Sequence, residues 1–370
     1  CLIFCWAHVI FLPMAVSALY LGYVFLAGRF VRTALLGQKD MEDGWMADFI
    51  LGVSAVLCAF CLLSAFKIGS IAQLKLFSTV SGAALYLWAA LSGGLRWAVC
   101  CLKGSFQEDE FQKSGFQGAN RILWSLLTAF LIVMVLIQAG RMNNSLDFDT
   151  LWYGVRSEYV LNNGKGIYEN PGMIGVVYTY SKGLETLTLP LSVLPSFSFQ
   201  ISFNWWLLIL TLYGVYRTAS HMMSPKMAGY LVIFLSAVPA VTNMSITAKT
   251  DIITLLFQVV MIEELIRSRK GEAGALGYAT GVFLLSWTMK PTALLFSSAV
   301  FGMGVLGNLG LWQQRWRMAG GWRLKTENFT ENSAGGICVI LALAALMGIW
   351  GRTLLITGIP VTSVFSSIFT

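Results

Sequence analysis

Residues 46–66 read MADFILGVSAVLCAFCLLSAF and contain one charged side chain, Asp48. A helix needs about 20 predominantly apolar residues to cross the hydrocarbon core of a bilayer. The apolar–polar alternation typical of a barrel strand is absent, and lipid tolerates only structures that bond every backbone group internally. This stretch therefore predicts a membrane-spanning α-helix.

Similar apolar runs recur along most of the chain, although two of them, near 251–266 and 275–289, are short. Together they predict an all-α, polytopic membrane protein with about ten transmembrane helices. The other runs lie near residues 3–27, 76–99, 122–140, 198–219, 227–244, 291–309 and 336–357.

The composition of the whole chain agrees with this prediction. Of its 370 residues, 56% are hydrophobic and 12% are charged, whereas soluble domains carry about 25% charged residues. This composition excludes a soluble globular enzyme, a nucleic-acid-binding module and a disordered protein. Because the chain starts at Cys1 and stops just after an apolar segment, we expect further sequence at one or both ends.

Basic residues set the expected orientation, because Lys and Arg accumulate in cytoplasmic loops. Placing the basic connections inside puts the long segment 141–197 outside, and a bacterial cytoplasmic membrane with an outward-facing active site is expected. The chain divides into N-terminal membrane helices, 1–121, and a catalytic membrane core, 122–370. Within 141–197 the sequence predicts short amphipathic helices at the interface, one of them between Leu184 and Leu194.

Two carboxylates begin the external segment, Asp147 and Asp149. One of them could cap the start of a helix. Alternatively, one acts as a general base that activates an acceptor hydroxyl, while the other positions the acceptor or the pair holds a divalent cation such as Mg or Mn. Which of the two is the base is left open.

Cations next to apolar segments suggest how an anionic substrate is held. Lys249, Lys290 and Arg352 fall at expected outer helix ends, where ammonium and guanidinium groups match phosphate oxygens. The alternative is that they extend to the lipid headgroups and that Lys249 pairs with Asp251. Further candidate substrate-binding residues in the external segment are Arg156, Tyr180 and Lys182.

The external Asp-x-Asp, the span start AKTDIITLLF at 248–257 and the break KPTALLF at 290–296 resemble the GT-C superfamily of integral-membrane glycosyltransferases. Residues 122–358 are similar to the membrane core of protein mannosyltransferases and aminoarabinose transferases. The resemblance implies a polyprenyl-phosphate-linked sugar donor and an unidentified glycan, lipid or protein acceptor. It also implies that Asp149 or Asp147 is the base, that Asp251 is a second acidic site residue and that Lys290 binds the donor phosphate.

Two other functions compete with this interpretation. A polytopic transporter or lipid-linked-sugar flippase would place its charges near the bilayer midplane on interrupted helices. A non-enzymatic subunit of a membrane assembly would leave the acidic pair unexplained. Two further features have structural interpretations: Cys58 and Cys61 fit helix packing, and His221 fits a solvated loop.

Overall fold

The structure, a computed structural model, describes residues 2–35, 37, 44–92, 119–143, 150–155, 161, 164–170, 172, 180–318 and 329–361. The described residues fold into α-helices with short π-helical and 3-10 turns and contain no β-strand. The helices are α1 (Leu2–Ala7), α2 (Phe11–Arg29), α3 (Trp45–Ala65), α4 (Ile71–Leu91), α5 (Ala119–Arg141), α6 (Gly183–Thr188), α7 (Ser198–Ser220), α8 (Pro225–Ala237), α9 (Pro239–Met244), α10 (Asp251–Lys270), α11 (Ala275–Met289), α12 (Pro291–Met318) and α13 (Phe329–Thr357).

Within the described part of the chain, six helices are long and apolar enough to cross a membrane: α2 to α5, α12 and α13. The prediction of a polytopic α-helical membrane protein is therefore confirmed, whereas the count of about ten is not. Helices α8 and α11 are apolar but shorter than a full span. Helices α7 and α10 have 23 and 20 residues, carry polar or charged side chains, and bury much of their surface within the bundle.

Glycines allow neighbouring helices to approach closely. A Cβ atom at Gly28 of α2 would collide with the backbone carbonyl of Asp48 in α3, and one at Gly52 of α3 would collide with the carbonyl of Val24. The order of these contacts makes α2 and α3 antiparallel. Helices α11 and α13 run parallel, since Gly277 lies against Gly335 and Trp287 stacks on Trp350 further along both helices.

Helices α3, α10 and α11 lie at the centre of the main apolar core. Phe49, Phe257 and Leu285, one from each helix, are completely buried. Cys58 and Cys61 pack α3 onto α13: the Cys58 thiol donates to the carbonyl of Leu341 at 3.2 Å, and Cys61 lies against Gly348. Both cysteines thus have the helix-packing role that the sequence predicts.

The bundle has two ends that differ in their charges. At the end that we name the Lys290 end, α3, α11 and α13 finish and α10 and α12 begin. At the opposite end, named the Arg267 end, α2, α7 and α10 finish and α3, α11 and α13 begin. The basic connections after α2, α7 and α10 share the Arg267 end, as the sequence-based orientation expects.

The structure corrects the predicted helix near Leu184–Leu194. This segment forms α6 and a 3-10 turn at Leu189–Leu191, and every residue of both elements is buried, whereas an interfacial helix would expose one face. The four leucines of these two elements, Leu184, Leu187, Leu189 and Leu191, all belong to the main core. The segment therefore inserts between helices rather than lying on the surface.

Two apolar runs are also divided. The first is interrupted between α1 and α2, and the run 227–244 is broken where Pro239 begins α9. Proline disfavours α-helical backbone in the residue before it, and Val238 is accordingly extended.

The two ends of the bundle should lie on opposite sides of the membrane. In a background lacking native cysteines, Lys165→Cys at the Lys290 end and Arg269→Cys at the Arg267 end should react with a membrane-impermeant thiol reagent from opposite faces of sealed vesicles. Both positions are exposed. Labelling of both positions from the same face would contradict the orientation.

Close packing of α2 on α3 gives a prediction about stability. Gly52→Ala should lower the free energy of unfolding by about 1–3 kcal/mol, because the added methyl group meets rigid backbone. Gly302→Ala is the matched control: it lies within α12, and an added Cβ would have no atom within 4 Å. Thermal unfolding in detergent should show this control to be as stable as the parent protein or more stable by up to about 1 kcal/mol, because alanine favours the helix. Equal effects at the two positions would contradict the packing.

Candidate functional site

An ion pair joins the starts of α10 and α12 at the Lys290 end. Lys290 lies between α11 and α12 in extended conformation because Pro291 follows it. Its ammonium donates to Asp251 Oδ1 at 2.7 Å, and the two side chains are 41% and 29% exposed. The structure thus brings together two predicted site residues that are 39 positions apart, and Asp251 pairs with Lys290.

A second, deeply buried pair lies at the start of α6, between Lys182, directly before its first residue, and Glu185 within it. Lys182 donates to Glu185 Oε1 at 3.1 Å, and the cation of Lys182 lies 5.8 Å from the ring centre of Tyr180. Burial lowers the pKa of Lys182, although the carboxylate of Glu185 acts in the opposite direction. Arg352 of α13 lies close enough to interact electrostatically with both side chains. Two predicted cations, each 1% exposed, are therefore grouped around one carboxylate.

Contacts of Gly183 and Leu187 hold this cluster in place. A Cβ atom at Gly183 would lie 2.6 Å from the backbone oxygen of Thr288, two residues before Lys290, so α6 presses directly on the end of α11. The Tyr20 hydroxyl of α2 donates to the carbonyl of Leu187 at 2.5 Å. The contact between Gly183 and Thr288 links the buried cluster to the Lys290–Asp251 pair.

The predicted acidic pair, Asp147 and Asp149, lies outside the described residues, as does Arg156. Thr150, which follows Asp149 directly, starts a π-helical turn that ends at Gly154. The hydroxyl of Thr150 accepts a hydrogen bond from the backbone N–H of Ala248 at 3.3 Å. The residue next to Asp149 is therefore attached to the connection that leads into Asp251.

Asn204 and Glu185 belong to this region but were not predicted from the sequence. Asn204 of α7 donates to the carbonyls of Thr247 and Lys249, at 2.5 and 2.9 Å, and so fixes the connection before α10. A single Asn in an apolar run gives only a weak signal. The spacing of Glu185 from Lys182 could have suggested an ion pair, because residues three apart share a helix face.

Charges at the Arg267 end form a network between helix ends. Arg32 pairs with Asp48 at 2.6 Å, and Arg267 bonds both Glu264 and Glu272. His221 lies in an exposed turn, as the sequence predicts. Its Nε2 lies 2.7 Å from Glu263 and its Nδ1 lies 2.7 Å from Lys270. It therefore also joins the end of α7 to α10, which the sequence did not predict.

The predicted cation site, Mg or Mn at Asp147 and Asp149, stays a prediction. Among the described residues no cluster of three or more His, Cys, Asp or Glu has an arrangement suited to a metal ion. The carboxylates on which the prediction depends lie outside that part of the chain.

Comparison of the chain with protein-family models, curated proteins and solved structures finds no match. Its function is therefore inferred from its own residues.

Removing the acidic or the basic charge of the buried cluster should lower the free energy of unfolding by different amounts. Glu185→Leu leaves Lys182 and Arg352 facing each other and should lower the free energy of unfolding by about 3–5 kcal/mol. Lys182→Met should cost less, because Arg352 still faces the carboxylate. Chemical denaturation in detergent measures both values. Lys290→Met, in the more exposed pair, is the control and should change the free energy of unfolding by about 0–1 kcal/mol. A larger loss of stability for Lys182→Met than for Glu185→Leu would contradict the arrangement.

Proposed function

We propose that this protein is a membrane glycosyltransferase of GT-C type. It moves a sugar from a polyprenyl-phosphate donor to an acceptor at the Lys290 end of the bundle. The observation that carries this proposal is the grouping of Lys182 and Arg352, both almost completely buried, beside the Lys290–Asp251 pair. Buried charge is costly in a membrane protein and usually marks a substrate or ion site.

Phosphate is the anion that this grouping fits. A planar guanidinium and an ammonium group suit its oxygens, and a buried setting strengthens their attraction to charge that builds on a leaving group. In the proposed reaction the bond between the anomeric carbon and the phosphate oxygen breaks, and the lipid phosphate leaves with the electron pair. Lys182 and Arg352 stabilise the departing charge, with Lys290 at the more exposed edge.

Asp149 is the proposed general base, with Asp147 as the alternative. It takes the proton of the acceptor hydroxyl while the acceptor oxygen forms its bond to the anomeric carbon. A single displacement of this kind inverts the configuration of the sugar. Support comes from Thr150, the next residue in the chain, which contacts the connection leading to Asp251. Asp251 holds the ammonium of Lys290 in position through their ion pair.

The distribution of buried charges favours an enzyme over a transporter or flippase. In the described part of the chain the buried charged side chains lie on or directly before α6, at or just after the end of α2, or nearer the ends than the middle of longer helices. Those of α10 are in its half toward the Arg267 end. Transport across the bilayer would instead call for polar sites near the midplane on interrupted helices. A one-sided grouping of cations suits chemistry on one face of the membrane.

Activity measurements on purified protein in nanodiscs test this proposal. With a panel of polyprenyl-phosphate sugars, the parent protein should release lipid phosphate from at least one donor. Asp149→Asn should reduce turnover by about 10²- to 10⁴-fold and largely retain donor binding, because the amide keeps the shape but cannot accept the proton. Lys290→Met should weaken donor binding as well as turnover, since its charge meets phosphate before and during departure.

Asp147→Asn is the matched control for the base. If it abolishes turnover while Asp149→Asn is nearly normal, the two carboxylates exchange roles. If both variants keep normal turnover at saturating donor, neither carboxylate is the base. Failure of every donor in the panel to bind or react would overturn the glycosyltransferase proposal itself.

A further inference from the structure

Three buried oxygen atoms on and beside α6 have no hydrogen-bond partner among the described residues. They are Ser181 Oγ, Glu185 Oε2 and Thr186 Oγ1. The three residues are 3%, 3% and 0% exposed, so bulk water does not reach them freely. Buried polar groups in folded proteins are nearly always hydrogen-bonded, and three exceptions within six residues call for an explanation.

Local geometry does not account for these atoms. Two other hydroxyls of the same segment donate to backbone carbonyls within it. Thr188 donates to the carbonyl of Leu184 at 3.0 Å, and Ser192 donates to that of Leu189 at 2.7 Å. The hydroxyl of Thr186 makes no such bond, although its own backbone N–H bonds the carbonyl of Lys182 at 2.9 Å. The hydroxyl of Thr188 is therefore already hydrogen-bonded within the segment, whereas the hydroxyl of Thr186 is available to a ligand.

The chemistry of the three atoms limits what can bind them. Glu185 Oε2 accepts hydrogen bonds, and the hydroxyls of Ser181 and Thr186 both donate and accept. A deprotonated phosphate has only acceptor oxygens and would repel the carboxylate. A ligand hydroxyl, in contrast, can donate to Glu185 and accept from a serine or threonine. Lys182, Glu185 and Thr186 are spaced i, i+3 and i+4, so they share one face of α6.

We infer that Ser181, Glu185 and Thr186 form a subsite that binds the hydroxyl groups of a sugar. Its identification with the sugar of the lipid-linked donor rests on the proposed function. The cations Lys182 and Arg352 beside it then take the adjacent phosphate, so that α6 contacts the donor on both sides of the bond that breaks. Hydroxyl binding by the three oxygens follows from their own chemistry and does not depend on catalysis.

Binding measurements with two matched pairs of probes test this subsite. In nanodiscs, intrinsic tryptophan fluorescence would report the affinity for polyprenyl-phosphate hexose against polyprenyl phosphate, and for hexosyl diacylglycerol against diacylglycerol. Glu185→Gln and Thr186→Val should each weaken binding of the hexose-bearing probes by about tenfold or more. Thr186→Val should leave the affinity for both sugar-free probes unchanged. Glu185→Gln removes the charge beside Lys182 and Arg352, so its control is diacylglycerol, which carries no phosphate and whose affinity should not change. Thr188→Val is the matched control, because its hydroxyl is already bonded within α6.

Deoxy-hexose probes provide a test without mutation, in case Glu185→Gln does not fold. At least one deoxy position should weaken binding to the parent protein about tenfold, and that same position should make little difference to Thr186→Val or Glu185→Gln. If ordered water alone fills the site, the variants will alter stability and leave hexose affinity unchanged, which would overturn the inference. Equal losses for the sugar-bearing and sugar-free probes would also overturn it.

The two probe pairs separate this inference from the proposed function. If no phosphate-linked probe binds or reacts but hexosyl diacylglycerol still depends on Glu185 and Thr186, the glycosyltransferase proposal fails and the sugar subsite stands. If the phosphate-linked donor reacts but neither variant distinguishes the hexose-bearing probe from its sugar-free partner, the sugar subsite is overturned and the glycosyltransferase proposal stands.

Discussion

Charge that is removed from water must find a partner, and the helix ends of this bundle are arranged around that constraint. Arg32 and Asp48, both almost fully buried, meet at 2.6 Å between the end of α2 and the start of α3. Arg267 bonds Glu264 and Glu272 at the end of α10. Each pair compensates a desolvation cost that either charge alone would leave unbalanced. The glycine contacts between α2 and α3 bring the backbones close enough for the first pair to form.

The two ends of the bundle use the same kind of interaction for different purposes. Ion pairs at the Arg267 end connect neighbouring helices and continue through His221 to Lys270. At the Lys290 end, Lys182 and Arg352 surround Glu185, and one oxygen of that carboxylate has no hydrogen-bond partner among the described residues. Glu263 and Glu264 at the Arg267 end also each have one such oxygen, so an unpartnered carboxylate does not by itself mark a site. We assign function to the Lys290 end because the hydroxyls of Ser181 and Thr186 also lack a partner among the described residues there, within the same six positions as Glu185. The partly exposed Lys290–Asp251 pair lies at the same end.

Much of the helical pattern could be predicted from the sequence, but the candidate site only in part. Arg352, Asp251 and Lys290 are recognisable because charges next to apolar runs are rare and costly. Lys182 was a candidate only as a cation of the external segment. The pairing of Asp251 with Lys290 could not be predicted, since the two residues are 39 positions apart and the lengths of α10 and α11 lie between them. Glu185 was overlooked because an acidic residue in a long polar segment resembles a solvated one until its burial is known.

The sequence by itself determined that this chain forms apolar helices and that its basic connections share one end. Hydropathy and charge are local properties that add along the chain, so they can be read without coordinates. Tertiary structure decided that Leu184–Leu191 lies inside the bundle and which cation faces which carboxylate. It also decided which oxygens on and beside α6 have no hydrogen-bond partner among the described residues. Those outcomes depend on packing between distant segments, because the free energy of a buried polar group is set by its neighbours in space.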